Sequence, residues 1–400
     1  PPPPPPLSML RRPPTSTLDN LRRQRQMCIR DRPSPALNKG GEMTRRPHRG
    51  LSRRSFLAST SAIAAGLTFM PYSARGEEEK KLNFYNWDTY IGETTLDDFK
   101  EASGIDVQMD LFADNDELFA KLREGNPGYD VIVPTNDFVE RMKKAGMLLP
   151  IDHDKIPNLS NINKLFLDAD FDPGREFSLP YMWGTMGIGY NKSAVSGPVD
   201  SWKVLYESDE YSGRISLLSE SSDVIGMALK YLGHSLNTTD PAHYKQVEEL
   251  VIAQKPHIKV FAPDNGQDLL ASGEVDIAQE WNGDIAQLMT EDDSFTYVVP
   301  KEGGMIWQDC LCIPTGAPHP ENAHAFINYI FDAEAGAAIA DYIQYATPND
   351  AARARLGDDY RDNPAIFPPD EITAKCESAL YLGEDVTRIV DETWTRIKAA

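Results

Sequence analysis

The chain is poor in cysteine and, past residue 76, in positive charge. Four cysteines occur among 400 residues, none in a CxxC pair, so no thiolate zinc site is expected. Beyond residue 76 only Cys310, Cys312 and Cys376 remain. An odd count leaves at least one free thiol in a monomer. Cys310 and Cys312 lie two apart on an extended segment, share one face and do not bond readily to each other; packing is their default role. Residues 1–76 carry 14 Lys and Arg against 3 Asp and Glu, of 40 and 61 in the whole chain, which leaves 26 against 58 in residues 77–400, a net of −32. That balance repels nucleic acid and attracts cations. It also suits a merely soluble acidic surface, because global charge identifies no site. HExxH, GxSxG and Walker A sequences are missing, as are histidines at ligand spacing. Asp168–Gly174 resembles the start of a calcium loop, but its glycine falls seventh and the twelfth place is Leu179, so a polar turn is expected. Gly184, Gly187 and Gly189 imitate a dinucleotide fingerprint with no helix opening behind them.

Residues 1–42 hold the run Pro1–Pro6 and the Arg-rich segment 21–30 without apolar periodicity. They read as a non-native or disordered leader. Met43 opens a complete export signal: Arg45, Arg46, Arg49, Arg53 and Arg54, then the uncharged stretch 56–70, then Ala74-Arg75-Gly76 with small residues at the cleavage positions. Ser52-Arg53-Arg54-Ser55-Phe56-Leu57 resembles a twin-arginine signal. The apolar stretch is shorter than a membrane span needs, and no lipobox Cys follows it. Residues 43–76 are therefore expected to be removed, leaving a soluble periplasmic chain from about Glu77.

The remaining 324 residues exceed one typical core, so two domains are expected. Strand and helix patterns alternate over residues 82–145, the rhythm of an α/β fold with a mainly parallel sheet. Near Pro180 it gives way to the glycine-rich, extended segment 181–191, which reads as a crossing into a second lobe. There, helices are expected over 201–207, 224–232, 241–254 and 284–289, with strands over 215–218, 275–279, 295–299 and 305–313. Helices follow over 320–331 and 334–343, and the chain is largely helical from Ile372.

Aromatics, acids and hydroxyls recur at the ends of these strands. Trp87-Asp88-Thr89-Tyr90 ends the first. Thr135 and Asp137 follow the strand around Val131, and Glu220 and Asp223 follow Leu217-Leu218. Trp281 ends the strand around Ile277. Trp307 and Asp309 share a face by alternation, and Tyr345 follows a helix. Each is ordinary alone, as a core Trp or a helix cap; together they suit a flexible polycation. Each ring over an ammonium adds roughly 0.5–2 kcal/mol, and carboxylates meet ammonium groups that cannot be desolvated unpaired. No Lys or Arg falls among these clusters.

The segments Phe84-Tyr85-Asn86-Trp87, 128–134, Leu179-Pro180-Tyr181-Met182-Trp183-Gly184, 237–241, Trp281-Asn282-Gly283, 300–304 and Thr347-Pro348-Asn349 resemble those of the periplasmic spermidine/putrescine-binding proteins of ABC transporters. The resemblance runs from about residue 80 to the end. It implies the class II solute-binding fold, two α/β lobes joined by crossing strands around a ligand cleft: 82–185 plus 307–353, and 186–306 plus 354–400. It implies aromatic walls from Trp87, Trp281, Trp307 and Tyr345, a hydroxyl from Tyr90, and Thr135 in place of a Ser. Glu220 and Asp223 match two acids of the second lobe, and Asp309 matches the acid that usually meets an amine. Two places depart from the pattern. The family's acid before the Tyr of the first motif is Thr89 here, with Asp88 one place early, and Asp137 stands where an aromatic is common. The expected protein is a monomeric, non-enzymatic receptor, without cofactor or metal, that delivers a polyamine to an ABC permease. A secreted glycoside hydrolase with paired carboxylates and a receptor for another solute are the competing readings.

Overall fold

The computed structural model describes residues 78–400 except Asp264. The leader and the export signal lie outside the described residues. Ten strands form one continuous sheet: β1 (Lys81–Asn86), β2 (Asp106–Leu111), β3 (Val131–Ile132), β4 (Ser178–Asn191), β5 (Ile215–Leu218), β6 (Ile258–Ala262), β7 (Ile277–Trp281), β8 (Phe295–Val298), β9 (Met305–Cys312) and β10 (Glu377–Ser378). Their spatial order is β2-β1-β3-β9-β4-β7-β5-β6, with β10 on β9 and β8 on β4.

The first half is a parallel set, β2-β1-β3, met by antiparallel β9. The second holds parallel β6-β5-β7, with β4 antiparallel to β7. β4 belongs to both. Its residues Ser178–Thr185 pair with β9, while Met186–Asn191 pair with β7 and β8. This is the expected crossing, and α/β is the expected class, although the sheet is mixed rather than mainly parallel because β4 runs antiparallel to β7, β8 and β9, and β9 to β3. The central strand β5, Ile-Ser-Leu-Leu, is covered on both faces and buried throughout, whereas β2 at the sheet edge is mostly exposed.

Local chemistry sets most boundaries. The helix Pro241–Gln254 matches its expected bounds because Asp240 accepts from the Ala242 N–H and Pro241 fills the first turn. The helix Thr95–Ser103 ends on Gly104 at φ 74°. Among the elements not expected are β6, the helix Gly266–Ala271 and the single helical turns Asp350–Arg353 and Asp358–Arg361. The stretch 201–207 forms only one helical turn, Lys203–Tyr206. The segment after Ile372 also departs from expectation. It holds a turn of helix over Asp370–Thr373, the short β10, and only then the long helix Glu384–Ala399.

The core spans both halves. Trp202 is fully buried on the second and donates from Nε1 to the Gly303 carbonyl at 2.7 Å. Cys310 and Cys312 are buried free thiols beside Arg175. Asp172 accepts from the Phe177 and Ser178 N–H groups and the Ser178 hydroxyl; it braces the turn that opens β4. Among the described residues no helix is long and apolar enough to cross a membrane.

Candidate ligand-binding site

The carboxyl ends of β1, β3, β5 and β7 carry the polar clusters, as open α/β sheets place them. Trp87 and Asp88 directly follow β1. Thr135 follows β3 and stands at the start of the helix Asn136–Lys144. Trp281 ends β7 and stands at the start of the helix Asn282–Glu291. Trp307 and Asp309 project from β9, and Tyr345 follows the helix Ala333–Ile343.

These elements bring Trp87, Asp88, Tyr90, Thr135, Trp281, Trp307, Asp309 and Tyr345 around one cavity, together with Asp284. It encloses about 370 Å³, part of it open to solvent. The rings form an edge-to-face chain: Trp281 to Trp307 (centroids 5.7 Å), Trp307 to Tyr345 (5.3 Å), Tyr345 to Tyr90 (5.0 Å) and Tyr90 to Tyr181 (5.2 Å). Trp87 is fixed by Nε1 donating to the Val133 carbonyl at 2.9 Å, which ties the end of β1 to the end of β3. Gly184 leaves room for Trp307, since a β-carbon there falls 2.6 Å from the indole.

Thr89 is not among the residues lining this cavity. It takes φ 52°, and its N–H donates to Asp88 Oδ1 at 3.0 Å. The left-handed turn leaves Asp88 in the cavity wall, the reverse of an arrangement with Asp88 turned away and Thr89 facing inward.

Asp137, Glu220 and Asp223 surround adjoining spaces. Asp223 and Glu220 line a slot with Trp87 and Trp281, which it shares with the first cavity. Asp137 and Glu220 line a larger chamber beyond it. Asp137 accepts from the Thr135 hydroxyl at 2.9 Å, and so touches the first cavity through Thr135. The Asn115 N–H donates to Glu220 at 3.4 Å across the slot.

Asp284 was not expected, although a signal for it exists. Glu220-Ser221-Ser222-Asp223 and Trp281-Asn282-Gly283-Asp284 are equivalent: a strand-end residue in extended backbone, then a helix with an acid at its third place. The spacing that singles out Asp223 also singles out Asp284. Tyr345 hydrogen-bonds its carboxyl, and Asp88 lies close enough to repel it.

The acids here are held out of water without cations to match them. Burial pushes the Asp309 carboxyl up to about 8, against a smaller downward pull from the Tyr90 hydroxyl. Burial pushes Asp284 up to about 7, with Asp88 adding to the rise. Glu220 and Asp223 are raised well above the carboxylate range, by burial first and neighbouring acids second. Asp137 is raised by burial. Asp309 Oδ1, the Tyr90 hydroxyl and Trp307 Nε1 are buried in the first cavity without a partner in full hydrogen-bond geometry, the Tyr90 hydroxyl and the Asp309 carboxyl lying beside each other. Buried polar atoms are ordinarily paired, so unpaired ones gathered in one cavity mark a place where something binds. The lining residues include no Lys or Arg. Three carboxyls, three hydroxyls and edge-to-face indoles can seat an ammonium group and cover a methylene chain, with no cation to draw an anion.

Residues 94–368 match the family model described as bacterial extracellular solute-binding protein. The chain belongs to that family. This solute-binding protein is 34% identical over 344 residues to the putrescine-binding periplasmic protein SpuD of Pseudomonas aeruginosa, a match covering 82% of this chain and 94% of that one. It is 34% identical over 349 residues to the spermidine/putrescine-binding periplasmic protein of Escherichia coli, covering 86% and 97%. Among solved structures, it is similar to the spermidine/putrescine ABC transporter substrate-binding protein PotD of Streptococcus pneumoniae. That match has a TM-score of 0.69 and 31% identity, over 80% of this chain and 99% of that one. The fold is thus the two-lobed α/β fold of periplasmic binding proteins.

Proposed function

We propose that this solute-binding protein captures a polyamine of the putrescine/spermidine class in the periplasm and delivers it to an ABC permease, without catalysing a reaction. The observation that carries this reading is the buried Asp309 carboxyl, with the Tyr90 hydroxyl beside it and no cation among the lining residues, in a cavity walled by Trp281, Trp307 and Tyr345. An ammonium group supplies donors to both oxygens, and the rings face its charge and its methylenes. Trp87, Asp88, Asp284 and Thr135 complete the first subsite, while Glu220 and Asp223 receive the far end of the chain; Asp137 stands next to both. The periplasmic, polyamine-binding relatives support the same reading. The two lobes, 82–185 plus 307–353 and 186–306 plus 354–400, close on the ligand by a hinge through β4 and β9. Export through the twin-arginine signal and release of a chain from about Glu77 belong to this reading.

Calorimetry of residues 77–400 with putrescine, cadaverine, spermidine, spermine and agmatine tests it. Saturable binding of at least one amine, one per chain, is expected. No heat with any of them overturns the reading.

A further inference from the structure

Beyond the slot at Glu220 lies a further space bordering the site, about 830 Å³, part of it open to solvent. Its lining is of two kinds. The acids are Asp116, Asp137, Glu220 and Asp391, of which Glu220 also lines the slot. Arg141 also lies there, offset by Asp116 at 3.6 Å and Glu384 at 3.8 Å. The apolar lining is Ile225, Leu229, Leu236, Met305, Val386 and Val390. Acids beside an apolar wall are complementary to a cation that carries a hydrocarbon tail.

The floor of this chamber is Gly226, inside the helix Ser221–Tyr231. Glycine within a helix costs about 1 kcal/mol relative to alanine. Elsewhere in the site the glycines have a steric reason, since a β-carbon at Gly184 or Gly283 falls within 2.6 Å of a ring carbon. Gly226 has none: a β-carbon there meets only Leu236 at 3.6 Å and Met305 at 3.8 Å, ordinary contact distances. Its missing side chain is chamber volume.

We infer that the chamber takes an apolar substituent on the terminal nitrogen of a bound amine, so that the protein accepts N-alkylated polyamines. The inference rests on the amine reading of the cavity at Asp309. The terminal nitrogen stays charged among Asp137, Glu220 and Asp391, and its alkyl group passes between the helices Ser221–Tyr231 and Glu384–Ala399.

The test compares spermidine with N1-ethyl-, N1-butyl- and N1-hexylspermidine by calorimetry. Affinity is expected to rise about threefold per methylene up to butyl. In Gly226→Leu, which fills the floor, and in Val390→Asp, which charges the wall, the gain disappears while spermidine itself binds as before. Melting curves of both variants check that they fold. A flat or falling series in the parent protein overturns the chamber, as does a gain that survives both variants. Should no amine bind at all, with or without a tail, the amine reading falls and the chamber falls with it.

Discussion

Gly283 lies against the face of Tyr345, so that a β-carbon at Gly283 falls 2.4 Å from two ring carbons. The first turn of the helix Asn282–Glu291 is therefore shaped to the ring. Tyr345 in turn meets both Trp307 and Tyr90 edge to face, so displacing it disturbs the whole aromatic wall. Gly283→Ala is expected to weaken putrescine binding about 3- to 30-fold, the worth of one ring over an ammonium. Overpacking costs about 1–3 kcal/mol of stability. Calorimetry and a denaturant melt separate the two effects; unchanged affinity would mean that the Tyr345 ring is no part of the amine wall.

Asp309→Asn removes the charge but keeps the shape. Removing one partner of a desolvated charge pair costs about 2–5 kcal/mol of binding, so affinity for putrescine should drop at least about 30-fold. The unliganded protein should not be weakened, because its carboxylate is buried without a cation. An Asn variant that melts no lower and binds no amine is the expected pair of results.

Stability of the unliganded protein should fall as pH rises from about 4 to about 8. The sign follows from proton counts. Asp309, raised to about 8 in the fold, keeps its proton over that range, whereas an unfolded Asp has lost it above about 3.9. The folded state then binds more protons, and stability declines with pH. Asp284, raised to about 7, acts in the same direction. Melting temperature against pH checks this, and Asp309→Asn should flatten the profile.

Binding should run the opposite way. Seating an ammonium requires ionised carboxyls, so amine capture near pH 7 releases protons. Affinity should tighten as pH rises from 6 to 8, while the amines themselves stay charged. Titration in two buffers of different ionisation heat counts the released protons; zero release would show that the acids are already ionised when empty.

Asp284→Asn should weaken putrescine binding about tenfold or more, in the range for a buried charge partner. A double-mutant cycle with Asp88→Asn should show coupling, since the two acids repel each other across the cavity. Additive effects would place them in separate subsites.

The sheet was largely legible because its strands are apolar runs between clear breakers, as at β5, and because Asp240-Pro241 marks a helix start in plain terms. β6 was not. It follows Pro256 at the sheet edge, and its residues are mostly half-buried, so no alternation stands out. In the site, the clusters at strand ends were legible one by one. Their meeting was not, because Asp309 and Asp88 are 221 residues apart and only topology joins them. Thr89 shows a further limit. Alternation along a strand stops at its last residue, and the left-handed turn at φ 52° decides which side chain enters the cavity. Asp284, by contrast, has a legible place, the third residue of its helix, as Asp223 has in its own.

β4 runs unbroken from one half of the sheet into the other, changing partners between Thr185 and Met186. A joint made from strand differs in kind from one made of loop. Its peptide groups stay paired while it twists, so it offers a protease no slack backbone. In the proposed closure the two halves would therefore turn about paired strand rather than about a loose linker.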